Sequence, residues 1–195
     1  SIYGGGAGLL MKAKPAIDAV ESMVKSLQVK SQKSKQKTGG HYRPSTLDFK
    51  VILLSPSKEV FTQKTAHSLS ESENIIFVCT RYEGIDYRFE QYMKKKYPKQ
   101  FQKISIGKYI TLGGEIPAMI MIEAITRLIP GVIKEEASRQ DESYNITKNM
   151  NNLEYPQYTK PEEILGMKVP KILLSGHHKN IDERRSKKTK KLKKQ

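Results

Sequence analysis

Cysteine is almost missing from this sequence: Cys79 is the one thiol among 195 residues. A single cysteine excludes an internal disulfide framework and a zinc site built from cysteines, and it fits a reducing, cytoplasmic setting. Long apolar runs are missing as well. No stretch approaches the roughly eighteen residues of a membrane span, and no signal-peptide pattern opens the sequence. Internal repeats are absent. Acidic residues are scarce beside basic ones, 20 Asp and Glu against 35 Lys and Arg, which gives a formal charge of +15. The surplus is uneven: residues 184–194 carry eight basic residues and no acid, leaving +7 over the first 183. An excess of this sign selects a polyanionic partner, nucleic acid before membrane, and is silent about chemistry.

What is present is organised. The length suits one compact domain with about a third of another to spare, on a prior of roughly 150 residues each. The chain begins at Ser1, inside what reads as a motif, Tyr3-Gly4-Gly5-Gly6-Ala7-Gly8, so the natural protein is expected to extend upstream. Residues 9–29 predict a helix, with Ala13, Ile17, Val20, Val24 and Leu27 at three- and four-residue spacings and Pro15 in the first turn. Residues 30–46 replace the apolar positions with Ser, Gln, Lys, Gly and Pro, which reads as a flexible basic loop. Apolar runs at 49–54 and 75–79, and another strand within 104–112, alternate with helices at 58–69 and 85–97. This rhythm predicts an α/β fold, a mostly parallel sheet with helices on both faces. Residues 117–128 are apolar almost all round, broken only by Glu123, Thr126 and Arg127, so that helix belongs in a core or a subunit interface. Residues 138–160 are polar, a linker or mobile loop; 169–174 are a last apolar stretch; the basic tail has too few apolar residues to fold alone.

The unusual segments fall at strand ends. Ser55-Pro56 follows the first strand, Arg81-Tyr82-Glu83-Gly84 the second, and Gly113-Gly114-Glu115 the third. In open parallel sheets ligands bind outside the carboxyl ends of strands, so these three loops are expected to converge on one pocket.

Several strings then carry a resemblance: Tyr3-Gly4-Gly5-Gly6-Ala7-Gly8, Leu54-Ser55-Pro56, Arg81-Tyr82-Glu83-Gly84-Ile85-Asp86, and Ser105-Ile106-Gly107 with Tyr109. They continue with Gly113-Gly114-Glu115 and Pro117-Ala118-Met119, Arg127 with Ile129-Pro130-Gly131-Val132, Tyr158-Thr159 with Pro161, and Leu174-Ser175-Gly176 with His178. In this order, the sequence resembles the bacterial tRNA (guanine-N1)-methyltransferases, the TrmD family of the SPOUT superfamily. The resemblance implies a SPOUT fold with a C-terminal trefoil knot and a homodimer with active sites at the interface. It implies methyl transfer from S-adenosylmethionine to N1 of the guanosine just 3′ of the anticodon, preceded by another guanosine, with magnesium assisting and frameshifting limited as a result. It also implies a domain plan: 1–137 as the cofactor-binding knotted domain without its first strand, 138–168 as linker and active-site loop, and 169–195 as the start of a tRNA-binding domain.

Site residues follow from the same resemblance. The cofactor would be held by Leu54, Ser55 and Pro56, by Thr80, Tyr82, Glu83 and Gly84, and by Ile106, Gly107, Lys108, Tyr109, Ile110, Thr111, Gly113 and Gly114. Thr80 stands where the family usually has Gly, so a φ above zero there would strain it. Lys108 replaces a usual Asp; pointing inward, its charge would oppose a sulfonium, and pointing outward it would matter little. Arg127 would stabilise the negative charge that develops on guanine O6, against the alternative of a buried salt bridge. Glu142 stands at the family's Asp position and would take the N1 proton, with Asp141 as substitute. Tyr82, Tyr155 and Tyr158 are candidates for base stacking or plain packing. The lysines of 30–37, 94–103 and the tail are candidate phosphate contacts. Cys79 reads as a buried strand residue, and His41, His67, His177 and His178 lack metal-ligand spacing, so no zinc is assigned. Two rival readings are a SPOUT methyltransferase with another RNA target and an RNA-binding protein that no longer catalyses.

Overall fold

The computed structural model describes residues 2–37, 47–133, 142–145 and 152–191. It divides into two compact units, Ser1–Ile133 and Lys134–Gln195.

The first unit is built around β1 (Lys50–Leu54). Val51, Ile52, Leu53 and Leu54 are all buried to within 3 %, as a strand covered on both faces requires. Strand residues alternate between faces, so β1 feeds two cores. Val51 and Leu53 join Phe89, Met93, Val20 and Val24 on one side, while Ile52 and Leu54 join Leu69, Met121 and Ile125 on the other. Parallel strands β2 (Ile75–Cys79) and β3 (Phe101–Ile104) flank β1 in the order β2-β1-β3. Leu54 pairs with Cys79 on one side and Ile104 on the other, which brings the three carboxyl ends level.

Helices α1 (Ala13–Lys37) and α3 (Tyr87–Lys96) cover one face of this sheet. The other face carries α2 (Gln63–Ser70) and α4 (Glu115–Thr126). Caps set the starts: the Thr62 hydroxyl accepts the Thr65 N–H, and the Asp86 carboxylate accepts the Arg88 N–H. Because α2 and α3 lie on opposite faces, the chain reverses its winding at β1, and the switch point falls between β1 and β3.

Two expectations are corrected. Helix α1 does not stop at residue 29 but runs to Lys37; Ser, Gln and Lys supply no apolar face, yet none of them breaks a helix. The remainder of the predicted basic loop, with His41, lies outside the described residues. The third strand is Phe101–Ile104, not 104–112. Residues 105–112 form a loop in which Ile110 and Leu112 are 80 % and 95 % exposed, apolar without being strand. In the second unit, α6 (His178–Lys188) runs into the basic tail, and its buried residue is Ile181, ahead of that tail. Before it in the second unit come β4 (Asn152–Leu153), the hairpin β5 (Glu163–Ile164) and β6 (Met167–Lys168), and the short α5 (Lys171–Leu174). Strand β7 (Lys190–Lys191) pairs antiparallel with β4.

Candidate active site

Each strand of the parallel sheet ends in a loop that turns over its carboxyl edge. After β1, Ser55 donates its N–H to the Ile104 carbonyl at 3.3 Å, joining the ends of β1 and β3. After β2, the Thr80 hydroxyl donates to the Leu54 carbonyl at 3.2 Å. After β3, the Ser105 hydroxyl donates to the Gly107 carbonyl at 2.7 Å and curls the loop back on itself. That loop then crosses to β2: Arg81 and Gly113 form an antiparallel bridge, and the Gly114 N–H reaches the Thr80 carbonyl at 2.9 Å. Glycine is required at 114. A Cβ there would lie 2.7 Å from the Cys79 Cα and 2.9 Å from the Thr80 nitrogen, both backbone atoms. Arg81 and Glu115 close the outer edge with an ion pair at 2.8 Å.

These loops enclose a cavity of about 290 Å³, near the lower end of small-molecule sites. The first loop contributes Leu54, Ser55 and Pro56, and the second Thr80, Tyr82, Glu83 and Gly84. From the third come Ile106, Tyr109, Ile110, Thr111, Gly113 and Gly114. Thirteen of the fifteen residues assigned to the cofactor therefore meet around one space. Gly107 and Lys108 do not line it; Gly107 lies under the Tyr109 ring, and Lys108 is exposed. Ile104, Ser105, Leu112 and Pro117 also line the cavity and were not assigned to it. Ser105 and Pro117 belong to the strings that carried the resemblance, and that signal was enough to find them.

The walls are apolar and aromatic, and Glu83 is the one described lining residue with a full charge. The strain expected at Thr80 is absent. Positive φ falls instead on Tyr82, at 59°, and on Gly84, at 106°. Cys79, half-buried at the end of β2, has its thiol pushed up by burial and then by the Glu115 charge.

Arg127 does not line this cavity. Arg127 caps the carboxyl end of α4, half-buried, while the cavity receives the amino end at Gly114 and Pro117. Twelve residues of helix separate them, about 18 Å of rise. Glu142 is half-buried in the second unit. Asp141 lies outside the described residues. Among the described residues no three His, Cys, Asp or Glu side chains are placed to hold a metal ion. No helix among them is long and apolar enough to cross a membrane.

Basic side chains are distributed unevenly between structure and surface. Lys94 and Lys103 face Glu90 at 2.6 and 3.1 Å, and Lys96 faces Glu21 at 2.7 Å, so these lysines are engaged inside the first unit. The second unit has a cavity of its own, about 570 Å³, where Lys160, Arg184, Arg185 and Lys188 surround Tyr155 and Tyr158. The Arg185 guanidinium stands 5.0 Å from the centre of the Tyr155 ring, within cation–π range.

A cleft at the switch point of a parallel α/β sheet, gripped by glycine loops and holding one carboxylate, defines a small-molecule or cofactor-binding α/β protein. The comparisons narrow that class. The family model for tRNA (Guanine-1)-methyltransferase TrmD matches residues 1–195, and the chain belongs to that family. It is 42 % identical over 179 residues to a tRNA (guanine-N(1)-)-methyltransferase of Dictyoglomus turgidum, covering 92 % of this chain and 60 % of the relative. A protein of the same name from Bacillus cereus is 40 % identical over 185 residues, covering 95 % of this chain and 64 % of its own. The chain thus spans a little under two thirds of the length of these curated relatives.

Proposed function

We propose that this chain carries the catalytic portion of a cytoplasmic tRNA methyltransferase. It would take a methyl group from S-adenosylmethionine and place it on N1 of the guanosine immediately 3′ of the anticodon. One observation carries the reading: four of the strings that carry the resemblance, at 54–56, 81–86, 105–109 and 113–119, meet around a single cleft at the sheet's carboxyl edge.

The residues present fit the donor. Leu54, Pro56, Ile106 and Pro117 offer apolar walls for a purine, loop 105–114 offers main-chain groups for its polar edge, and Glu83 offers a negative charge to a cation. When bound, S-adenosylmethionine supplies an electrophilic methyl group on positively charged sulfur. Glu142, or Asp141 in its place, removes the N1 proton as the general base. Arg127 holds the negative charge that spreads to O6. A methyl group so supplied would pass to N1, with Leu54, Pro56, Ile106 and Pro117 holding the donor at the cleft. For magnesium the described residues offer no cluster of three ligands.

A homodimer completes this reading. Arg127 is a helix length from the cleft of its own chain, and α4 exposes Ile116, Met119, Ile120 and Ile122 at helical spacing. An apolar stripe of that kind is the mark of an interface, and pairing two such stripes assembles a shared site. The return of 111–114 from β3 to the end of β2 supports the family's knotted crossing. In the second unit, the cluster of Arg184, Arg185, Lys188 and tyrosines is suited to a tRNA backbone and its bases.

Single-turnover methyl transfer to an unmodified tRNA transcript tests these roles. Arg127→Ala and Glu142→Gln are each expected to slow the step by roughly a hundredfold or more while cofactor binding persists. Full activity of Glu142→Gln would remove it as the base.

A further inference from the structure

The glycine-rich segment lies outside the cavity lining but holds it from behind. The Leu9 carbonyl accepts the Glu83 N–H at 3.0 Å, and the Met11 N–H donates to the Gly84 carbonyl at 2.9 Å. The Asp86 N–H returns to the Met11 carbonyl at 2.9 Å, and the Arg81 N–H points at the Met11 sulfur at 3.2 Å. Residues 9–11 therefore lie as a strap along the 81–86 loop. Just before the strap, Gly8 has a φ of +93°, and a Cβ on it would meet the Glu83 Cγ at 2.8 Å and Oε1 at 3.1 Å. Gly4, Gly5 and Gly6 also have positive φ, yet a Cβ on any of them would meet open space. The steric demand is local to Gly8, and it is made by a carboxylate.

Glu83 is exposed and flexible, so a side chain at position 8 would push the carboxylate aside rather than unfold the loop. We infer that Gly8 is a positioning residue: by leaving room for the Glu83 side chain it sets where that carboxylate stands at the cavity wall, and the charge there makes the site favour a sulfonium donor over its neutral thioether product. The inference rests on the cofactor reading given above. The physical cause is Coulomb's law, since the donor carries one positive charge more than the product and Glu83 supplies the lining's negative charge.

Calorimetric titration of the chain with S-adenosylmethionine and, separately, S-adenosylhomocysteine tests it. Gly8→Ala is expected to weaken the sulfonium ligand about fivefold or more and the thioether less than about twofold. Glu83→Gln should do the same, and adding Gly8→Ala to Glu83→Gln should change nothing further. Gly5→Ala, with the same sign of φ and no neighbour, should leave the ratio of the two affinities as it was. If Gly8→Ala does not fold, Gly8→Asn tolerates positive φ and carries the same Cβ. Equal losses for both ligands, additive effects in the double variant, or an unchanged ratio in Glu83→Gln would each overturn the inference. Absence of binding by the unsubstituted chain would instead overturn the cofactor reading, and the inference would fall with it.

Discussion

Thr80 shows how a residue that looks misplaced is accommodated. A β-branched side chain would be strained at positive φ, but the left-handed position in this loop is Tyr82, two residues later. Thr80 keeps an ordinary backbone and spends its hydroxyl on the Leu54 carbonyl, tying the ends of β2 and β1 together. Gly114 presents the opposite case, because its neighbours are backbone atoms that have nowhere to go. Gly114→Ala should cost about 1–3 kcal/mol of stability, the usual cost of overpacking. A urea midpoint measures this, and cofactor affinity should fall with it. A midpoint equal to that of the unsubstituted chain would mean that α4 does not start as tightly against β2 as described. Neither result was legible from residue types alone, since both depend on dihedral angles and on contacts far apart in sequence.

At the scale of elements, α3 is pinned to β3 through Glu90, which is 7 % exposed and receives Lys94 from its own helix and Lys103 from the strand. Burial pushes the Glu90 carboxyl up, but the two lysine hydrogen bonds outweigh it and the net shift is downward from the ordinary 4.5. A carboxyl depressed in the folded state contributes stability above its unfolded value and loses it as pH falls through the folded one. Acid unfolding should therefore steepen below about pH 4.5. Glu90→Gln should cost about 1.5–3 kcal/mol at neutral pH and flatten that acid limb. Thermal midpoints between pH 3 and 7 read both effects, and an unchanged acid limb would remove Glu90 as its source. The sheet itself was largely visible in sequence: β1 and β2 are short apolar runs bounded by polar loops, and β2 matches its predicted limits. The third strand was misplaced because Ile106, Ile110 and Leu112 look like strand residues, whereas they are loop residues at the cleft. The end of helix α1 is not legible from periodicity because its backbone hydrogen bonds do not need an apolar face. The cleft was legible because strand ends and glycine strings coincide. The distance between that cleft and Arg127 was not, because it follows from the direction of α4.

For the whole molecule, α4 is the decisive surface. It buries Pro117, Ala118, Met121 and Ile125 against the sheet and leaves Ile116, Met119, Ile120 and Ile122 outside. If those four form the dimer contact, Met119→Glu should shift sedimentation from dimer to monomer and abolish methyl transfer while leaving the secondary structure intact. A sedimentation coefficient unchanged by the substitution would place the contact elsewhere. Methylation at N1 of one guanosine is read from the identity of the product. An unmodified tRNA transcript with guanosine 3′ of the anticodon would be incubated with the protein and S-adenosylmethionine, digested to nucleosides and examined by mass spectrometry. 1-Methylguanosine is expected from this transcript, and none when that guanosine is replaced by adenosine. Transcript that is bound yet yields no 1-methylguanosine, or yields a methyl group on another base, would contradict it.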